Sequence, residues 1–488
     1  MMAILVIFSY LALLFLISRM TARRPSNDAF FRGERRSPWY MVAWGMIGAS
    51  ISGVTFVSVP GMVLWQDMTY MQTCLGFILG YLAVAFVMLP VYYRLNLTTI
   101  YAFLGQRLGA SAYKTGASFF LLSKMTGAAA RFYVVCLIVQ QMLGTPFAPT
   151  VVAMVVLIWL YTRRGGIKTL VWTDGLQTAC MFGALALIIY KVMGALDLSV
   201  GEAVRAIAAD SHSRMFVFDD WVSRQNFWKQ FLSGVFIVIV MTGLDQDMMQ
   251  KNLTCKNLRD AQKDMCSYGL AFVPANLLFL SLGVLLTMLA TKQGVPLPTS
   301  GDELLPMFAA TGVLGQGVLI LFLLGMVAAS FSSADSALTA LTTSYCVDIR
   351  ERPDDEALRR RVHIGMAVVF TVVILLFGLV NSTSVIDAIY VMCGYTYGPL
   401  LGLFAFALLR PKNNAQHLSP NTYHPTHSSR LVPIIAIASP IICLMIDNAT
   451  RHFFDYRFGY ELLMLNGLLT FVGLWILSKN QSISSSAS

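Results

Sequence analysis

Apolar residues dominate this chain in long blocks, and polar residues are squeezed into the short connections between them. Runs long enough to cross a bilayer as helices fall at roughly 2–19, 39–64, 68–92, 112–143, 148–163, 168–193, 227–249, 265–291, 313–346, 363–381, 384–409, 431–448 and 461–478. That pattern predicts an all-α integral membrane protein with about thirteen transmembrane helices. The longest connections, 194–226 and 411–430, are too short to hold a soluble catalytic domain. The second of them carries His417, His424 and His427, which read as a solvated polar loop.

Composition agrees. Of 488 residues, 57% are hydrophobic and only 12% charged, where a soluble domain carries about 25% charge. Mean hydropathy is +0.66. So much apolar surface, including 26 Met and 31 Phe, exceeds what one globular core can hide. Soluble enzymes, nucleic-acid binders and secreted disulfide scaffolds are excluded. The eight cysteines form no CxxC pair and read as small hydrophobes. A net charge of +10 does not imply nucleic acid, because the cations cluster between apolar runs.

The distribution of those cations sets an expected topology. The N-terminal segment lacks a positive n-region, and Arg19, Arg23 and Arg24 follow its apolar stretch, as in a first helix that starts outside. With thirteen spans the C-terminus is then inside. Of the 35 Lys and Arg, 25 fall in the inside connections, Lys251 among them, eight fall outside, and Lys124 and Arg131 lie within a span.

Charges inside spans carry the functional signal, since each costs about 2.5–3.5 kcal/mol at the bilayer centre. Lys124, Arg131, Asp174, Asp335 and Asp387 are of this kind. Lys124 and Arg131 are two helical turns apart and share a face. That face suits an anionic solute, or one of the pair neutralises a buried Asp. Asp387, near a helix start, reads as structural.

The second span contains Gly45, Gly48 and Gly53 with Ser50, Ser52 and Thr55. It is either an easily unwound stretch whose freed carbonyls can hold a small hard cation, or a close helix-packing surface. In the ninth span Ala329, Ser332, Ser333 and Ser336 form one stripe, with Asp335 at its border. Carboxylates and hydroxyls together within a membrane favour cation coupling.

These residues carry a family resemblance. Gly165-Gly166 with Trp172-Thr173-Asp174 and Gln177, Asp245-Gln246 with Gln250-Lys251, Lys256, Ala261-Gln262, and Ser332-Ser333 with Asp348-Ile349 resemble, in order, the motifs of the sodium:solute symporter family. The resemblance implies a LeuT-like 5+5 inverted repeat: residues 1–38 as first helix and cytoplasmic connection, 39–193 and 227–409 as the two five-helix repeats, 194–226 as an extracellular connection, and 410–488 as two further helices and a cytoplasmic tail. It implies sodium as the coupling ion, held by the carbonyls of Gly48, Ile51 and Ala329 and the hydroxyls of Ser332 and Ser333. A second sodium site found in some members maps onto Asp174, Ser332, Asp335 and Ser336. Asp335 departs from the serine usual there, which leaves sodium, a proton or an internal partner open.

For the solute, the sugar-transporting branch matches poorly, because its polar contacts fall on Val54, Cys74, Val238 and Met241. The sialic-acid branch matches better, on Ser50, Ser52, Thr55, Tyr70 and Arg131, with Gln72 and Cys74 less secure. The expectation is a sodium-coupled importer of a small carboxylate-bearing solute such as sialic acid, in a bacterial inner membrane, with no nucleic-acid partner. A single copy could suffice. Alternatives are a sugar, polyol, monocarboxylate or pantothenate symporter, proton coupling through Asp335, or a membrane sensor. A sensor is disfavoured because signalling relatives carry an added kinase domain where this chain has a short Ser-rich tail. An enzyme is disfavoured because none of the six His has a suitable partner.

Overall fold

A computed structural model describes residues 2–21, 26–310, 314–379, 385–409, 431–454, 456 and 458–486, and it is all-helical apart from one isolated backbone bridge between Ser37 and Cys255. His417, His424 and His427 lie outside these residues, as does the side chain of Asp387. We number the main helices in chain order: α1 (Met2–Thr21), α2a (Trp39–Ser50), α2b (Gly53–Gln66), α3 (Tyr70–Arg94), α4 (Ala110–Leu143), α5 (Phe147–Thr162), α6 (Ile167–Leu196), α7a (Phe227–Gly243), α7b (Gln246–Asn252), α8 (Leu258–Gln293), α9 (Gln316–Ser344), α10 (Glu356–Phe377), α11 (Val385–Leu409), α12 (Val432–Phe454) and α13 (Leu462–Ser486). Each begins or ends within several residues of an apolar run read from the sequence.

Among the described residues, eight helices are long and apolar enough to cross a membrane: α3, α4, α6, α8, α9, α10, α12 and α13. Two more spans are broken. α2a and α2b meet at 60°, and α7a and α7b at 69°. The first break falls in the Gly-rich stretch that the sequence marks as weak. The second was not foreseen, and both lie in the first helix of an expected five-helix repeat.

The two breaks have local causes. At the first, Ile51 (φ −80°, ψ 83°) and the extended Ser52 (φ −71°, ψ 169°) leave helical geometry. At the second, Gly243 is followed by Asp245, whose carboxylate accepts from the Asp247 N–H at 2.8 Å and so starts a new helix. The glycines of α2a serve a second purpose. A Cβ on Gly45 would lie 2.9 Å from the Asp174 Cβ, and one on Gly48 would run into the Thr178 side chain. Both readings of the Gly-rich stretch therefore hold: it breaks, and it packs tightly on α6.

The connection after α1 is not a simple solvated loop. Ser26 caps a short helix, Asn27–Arg32, which buries Phe30 and Phe31. The Gln250 amide of α7b donates to the Phe31 carbonyl (2.9 Å) and to the Thr343 hydroxyl (2.9 Å), and the Gln246 amide donates to the Thr98 carbonyl (3.2 Å). The segment beyond the second break is thereby clamped from several elements.

Candidate functional site

Between the two breaks lies a cavity of about 100 Å³. Ala49 and Ser50 reach it from α2a, Thr242 and Asp245 from α7, Tyr81 from α3, Lys124 and Arg131 from α4, Tyr268 from α8 and Ser333 from α9. A hydroxyl chain runs along one wall: Ser50 and Tyr268 are 2.5 Å apart, and Tyr81 donates to Tyr268 at 2.8 Å. A larger cavity of about 810 Å³ opens one to two turns further along α4, at Val134 and Ile138, and is lined by Trp65, Gln66 and Tyr460.

The two cations of α4 have different surroundings. Lys124 is buried, 3.2 Å from the Asp245 carboxylate and 2.6 Å from that of Asp247, and Tyr397 donates to Asp245 at 2.6 Å. Of the alternatives open from sequence, Lys124 takes the one in which it neutralises buried acids. Arg131 is half-buried and lines the same cavity, yet among the described residues it makes no ion pair or hydrogen bond.

A second polar cluster lies where α9 faces α2a and α6. The Ser333 hydroxyl donates to the Ala49 carbonyl at 2.9 Å, with the Ala329 carbonyl at 3.3 Å, and so joins the end of α2a to α9. Its neighbour Ser332 turns the other way and donates to Asp174 at 2.7 Å. Asp174 also pairs with Lys251 at 2.7 Å, with side chains only 1% and 2% exposed. Asp335 accepts from the Tyr161 hydroxyl at 2.5 Å and from Ser336 at 3.2 Å.

A transmembrane bundle with two facing breaks and buried charges beside them fits a carrier, and comparison with known proteins narrows this. The profile of the sodium:solute symporter family matches residues 30–417. The chain belongs to that family. A sodium/sialic acid symporter of Aliivibrio fischeri is 24% identical over 95% of this chain and 92% of its own length. One from Proteus mirabilis is 22% identical over 95% and 94%. The human sodium/iodide cotransporter is 24% identical over 80% of this chain, which spans 62% of that relative's length. Among solved structures, a Na⁺-coupled sialic acid symporter in a substrate-bound outward-open state superposes with a TM-score of 0.81 at 20% identity, covering 97% and 96% of the two chains. The nucleobase-cation-symport-1 transporter Mhp1, closed, gives 0.60 at 16% identity over 93% and 94%. The fold is that of the LeuT-type transporters.

In this chain the residues expected to touch solute separate into two groups. Ser50 and Arg131 line the small cavity. Ser52 is buried elsewhere, and Thr55 does not reach the wall. Tyr70 is buried against the Phe77 ring, 6.3 Å between centroids, and Cys74 is wholly buried. Gln72 donates to the Gln225 carbonyl at 2.9 Å and accepts from the Val217 N–H at 3.0 Å, which ties α3 to the 194–226 connection. Its amide is thus used by the protein itself. Of the positions that argued against a sugar, Val238 and Met241 do line the cavity.

Sequence reasoning missed Tyr81, Tyr268, Asp247 and, above all, Lys251. Lys251 reads as a cation of an inside connection for as long as the helix from Phe227 is taken to be unbroken. A signal was present: Gly243 followed by Asp245 in an apolar run marks a helix end and a fresh N-cap.

Proposed function

We propose that this chain is a sodium-coupled importer of a small organic solute bearing a carboxylate, with sialic acid the first solute to test. The observation that carries the reading is Arg131: a guanidinium lining the cavity between two helix breaks, with no carboxylate partner among the described residues, while its neighbour Lys124 has two. Arg131 is half-buried, so its guanidinium is partly withdrawn from water with no anion beside it, and an incoming carboxylate can meet it in bidentate fashion. The Ser50–Tyr268–Tyr81 hydroxyls offer donors and acceptors beside it. Two sialic acid symporters among the relatives support the same choice.

Sodium is assigned to the Gly48, Ile51 and Ala329 carbonyls with the Ser333 hydroxyl; Ser332, the fifth group expected there, donates its hydrogen to Asp174 and has only its oxygen lone pairs to offer an ion. Support comes from Ser333, which already reaches carbonyls on both sides of the gap. An ion there ties α2a to α9, holds the break open to solute, and couples ion binding to the wall on which Ser50 sits. Solute then docks on Ser50 and Arg131, and the bundle rocks to release both on the other side of a plasma membrane, a bacterial inner membrane on this reading. The N-terminus is assigned outside and the C-terminus inside from the cation distribution.

The test is uptake of labelled sialic acid into proteoliposomes with and without an inward sodium gradient. Sodium-dependent uptake supports the proposal, and uptake driven equally by a proton gradient alone overturns the sodium assignment. A smaller monocarboxylate is the second reading, favoured by a cavity of about 100 Å³, below the 300–1,000 Å³ usual for ligand pockets. The same vesicles given labelled lactate distinguish the two. Ser333→Ala removes the hydroxyl that spans the gap. The half-saturating sodium concentration is expected to rise about tenfold, a loss of about 1.4 kcal/mol, with the solute KM at saturating sodium unchanged. Sodium titrations of initial uptake rates measure this.

A further inference from the structure

We infer that Lys251 is a built-in cation at the position where a second sodium would sit, so that this carrier binds and moves one sodium per cycle. The inference rests on the sodium-symport reading above and specifies its stoichiometry. Four groups map onto a second ion site: Asp174, Ser332, Asp335 and Ser336. The geometry assigns each of them a partner within the protein. The Lys251 ammonium lies 2.7 Å from one Asp174 oxygen, while Ser332 donates to the other at 2.7 Å. Both Asp335 oxygens accept from hydroxyls, of Tyr161 at 2.5 Å and Ser336 at 3.2 Å. The one hydrogen that Ser336 can donate is used on its own neighbour.

Lys251 is not a surface cation that has wandered in. It belongs to α7b, which is 1% exposed at this residue. Its carbonyl accepts from the Thr254 hydroxyl at 2.7 Å, and Gln250 beside it is held by Phe31 and Thr343. Asp174 is equally confined: its side chain is 1% exposed, and α2a packs so closely on it that a Cβ on Gly45 would lie 2.9 Å from the Asp174 Cβ. In a medium of low dielectric a fixed ammonium repels a second cation strongly at such distances. It also supplies the neutralisation of Asp174 that an ion would otherwise bring.

The consequence is energetic. One sodium entering with a monoanionic solute moves no net charge, so the membrane potential does not drive accumulation. A tenfold sodium gradient then concentrates the solute about tenfold, whatever the voltage.

The test is a count of bound sodium per protein on the full chain in detergent, by equilibrium dialysis with sodium-22 and no solute. Wild type is expected to bind one, and Lys251→Arg, which keeps the charge, also one. Lys251→Met, which keeps the stem and removes the charge, is expected to bind two, with the Hill coefficient for sodium moving from 1 towards 2. Two sodium ions on wild type would overturn the inference, as would a folded Lys251→Met that still binds one. No sodium on wild type would instead overturn the symport reading, and this inference with it. Should Lys251→Met fail to fold, the charge-neutral pair Lys251→Met with Asp174→Asn serves: its count stays at one if the main site alone binds sodium. A loss of sodium in Asp174→Asn alone would show that Asp174 is a ligand and overturn the inference.

Discussion

Arg131→Ala is expected to raise the KM for the carboxylate solute sharply while leaving the protein as stable as wild type. Truncating one member of a buried, hydrogen-bonded charge pair costs about 2–5 kcal/mol of binding, so KM rises at least about 30-fold. Stability is spared because Arg131 has no partner within the described protein to be orphaned. Arg131→Lys should fall between, since an ammonium keeps the charge and loses the planar fork that matches a carboxylate. The checks are solute titrations of uptake beside thermal unfolding in detergent with and without sodium. If Arg131→Ala transports sialic acid and lactate normally, the guanidinium does not hold the solute, and the carboxylate assignment falls.

Lys124→Met is expected to do the opposite: it should lower stability first, and transport only as a result. Removing this ammonium leaves Asp245 and Asp247 buried without a cation, and breaking a buried pair in this way costs about 3–5 kcal/mol. The effect extends beyond the pair, because Asp245 is also the N-cap of α7b and accepts from Tyr397. Asp247→Asn in the Lys124→Met background should recover part of the loss, because it removes one of the two uncompensated charges. Melting midpoints of the three variants decide the matter. A Lys124→Met protein that melts like wild type but cannot take up solute would mean that Lys124, too, meets the substrate. The contrast between two lysine and arginine residues on one helix face is the sharpest check on the site, as both were candidates for one anionic ligand.

The two residues also show why the sequence leaves such a choice open. A spacing of two turns places both cations on one face of α4, and helical periodicity requires no more than that. Which of them is neutralised depends on α7b, whose Asp245 lies 121 residues away and faces Lys124 only because α7 breaks at Leu244 and turns by 69°. The Asp174–Lys251 pair has the same origin. Lys251 reads as an inside-loop cation for as long as α7 is taken to be straight. Once the break is placed, it becomes the most buried positive charge at the expected second ion site.

What the sequence by itself determined is what depends on neighbours within a helix or on transfer into a bilayer. Apolar runs placed the helices, because the cost of exposing backbone and polar groups to lipid acts on every segment separately. Gly45, Gly48 and Gly53 marked the stretch as a break or a close-packing surface, because weak helix formers act locally and small residues serve both. The stripe from Ala329 to Ser336 marked the face of α9 that meets α2a. Tertiary structure alone decided the assignments between helices: that Gln72 serves a loop rather than a solute, that Ser332 and Ser333 point to different clusters, and that Lys124 and Lys251 pair with carboxylates while Arg131 has no partner among the described residues. The physical reason is that ion pairs and hydrogen bonds are formed by side chains within about 3 Å of one another, and such proximity between helices distant in sequence comes only from their packing.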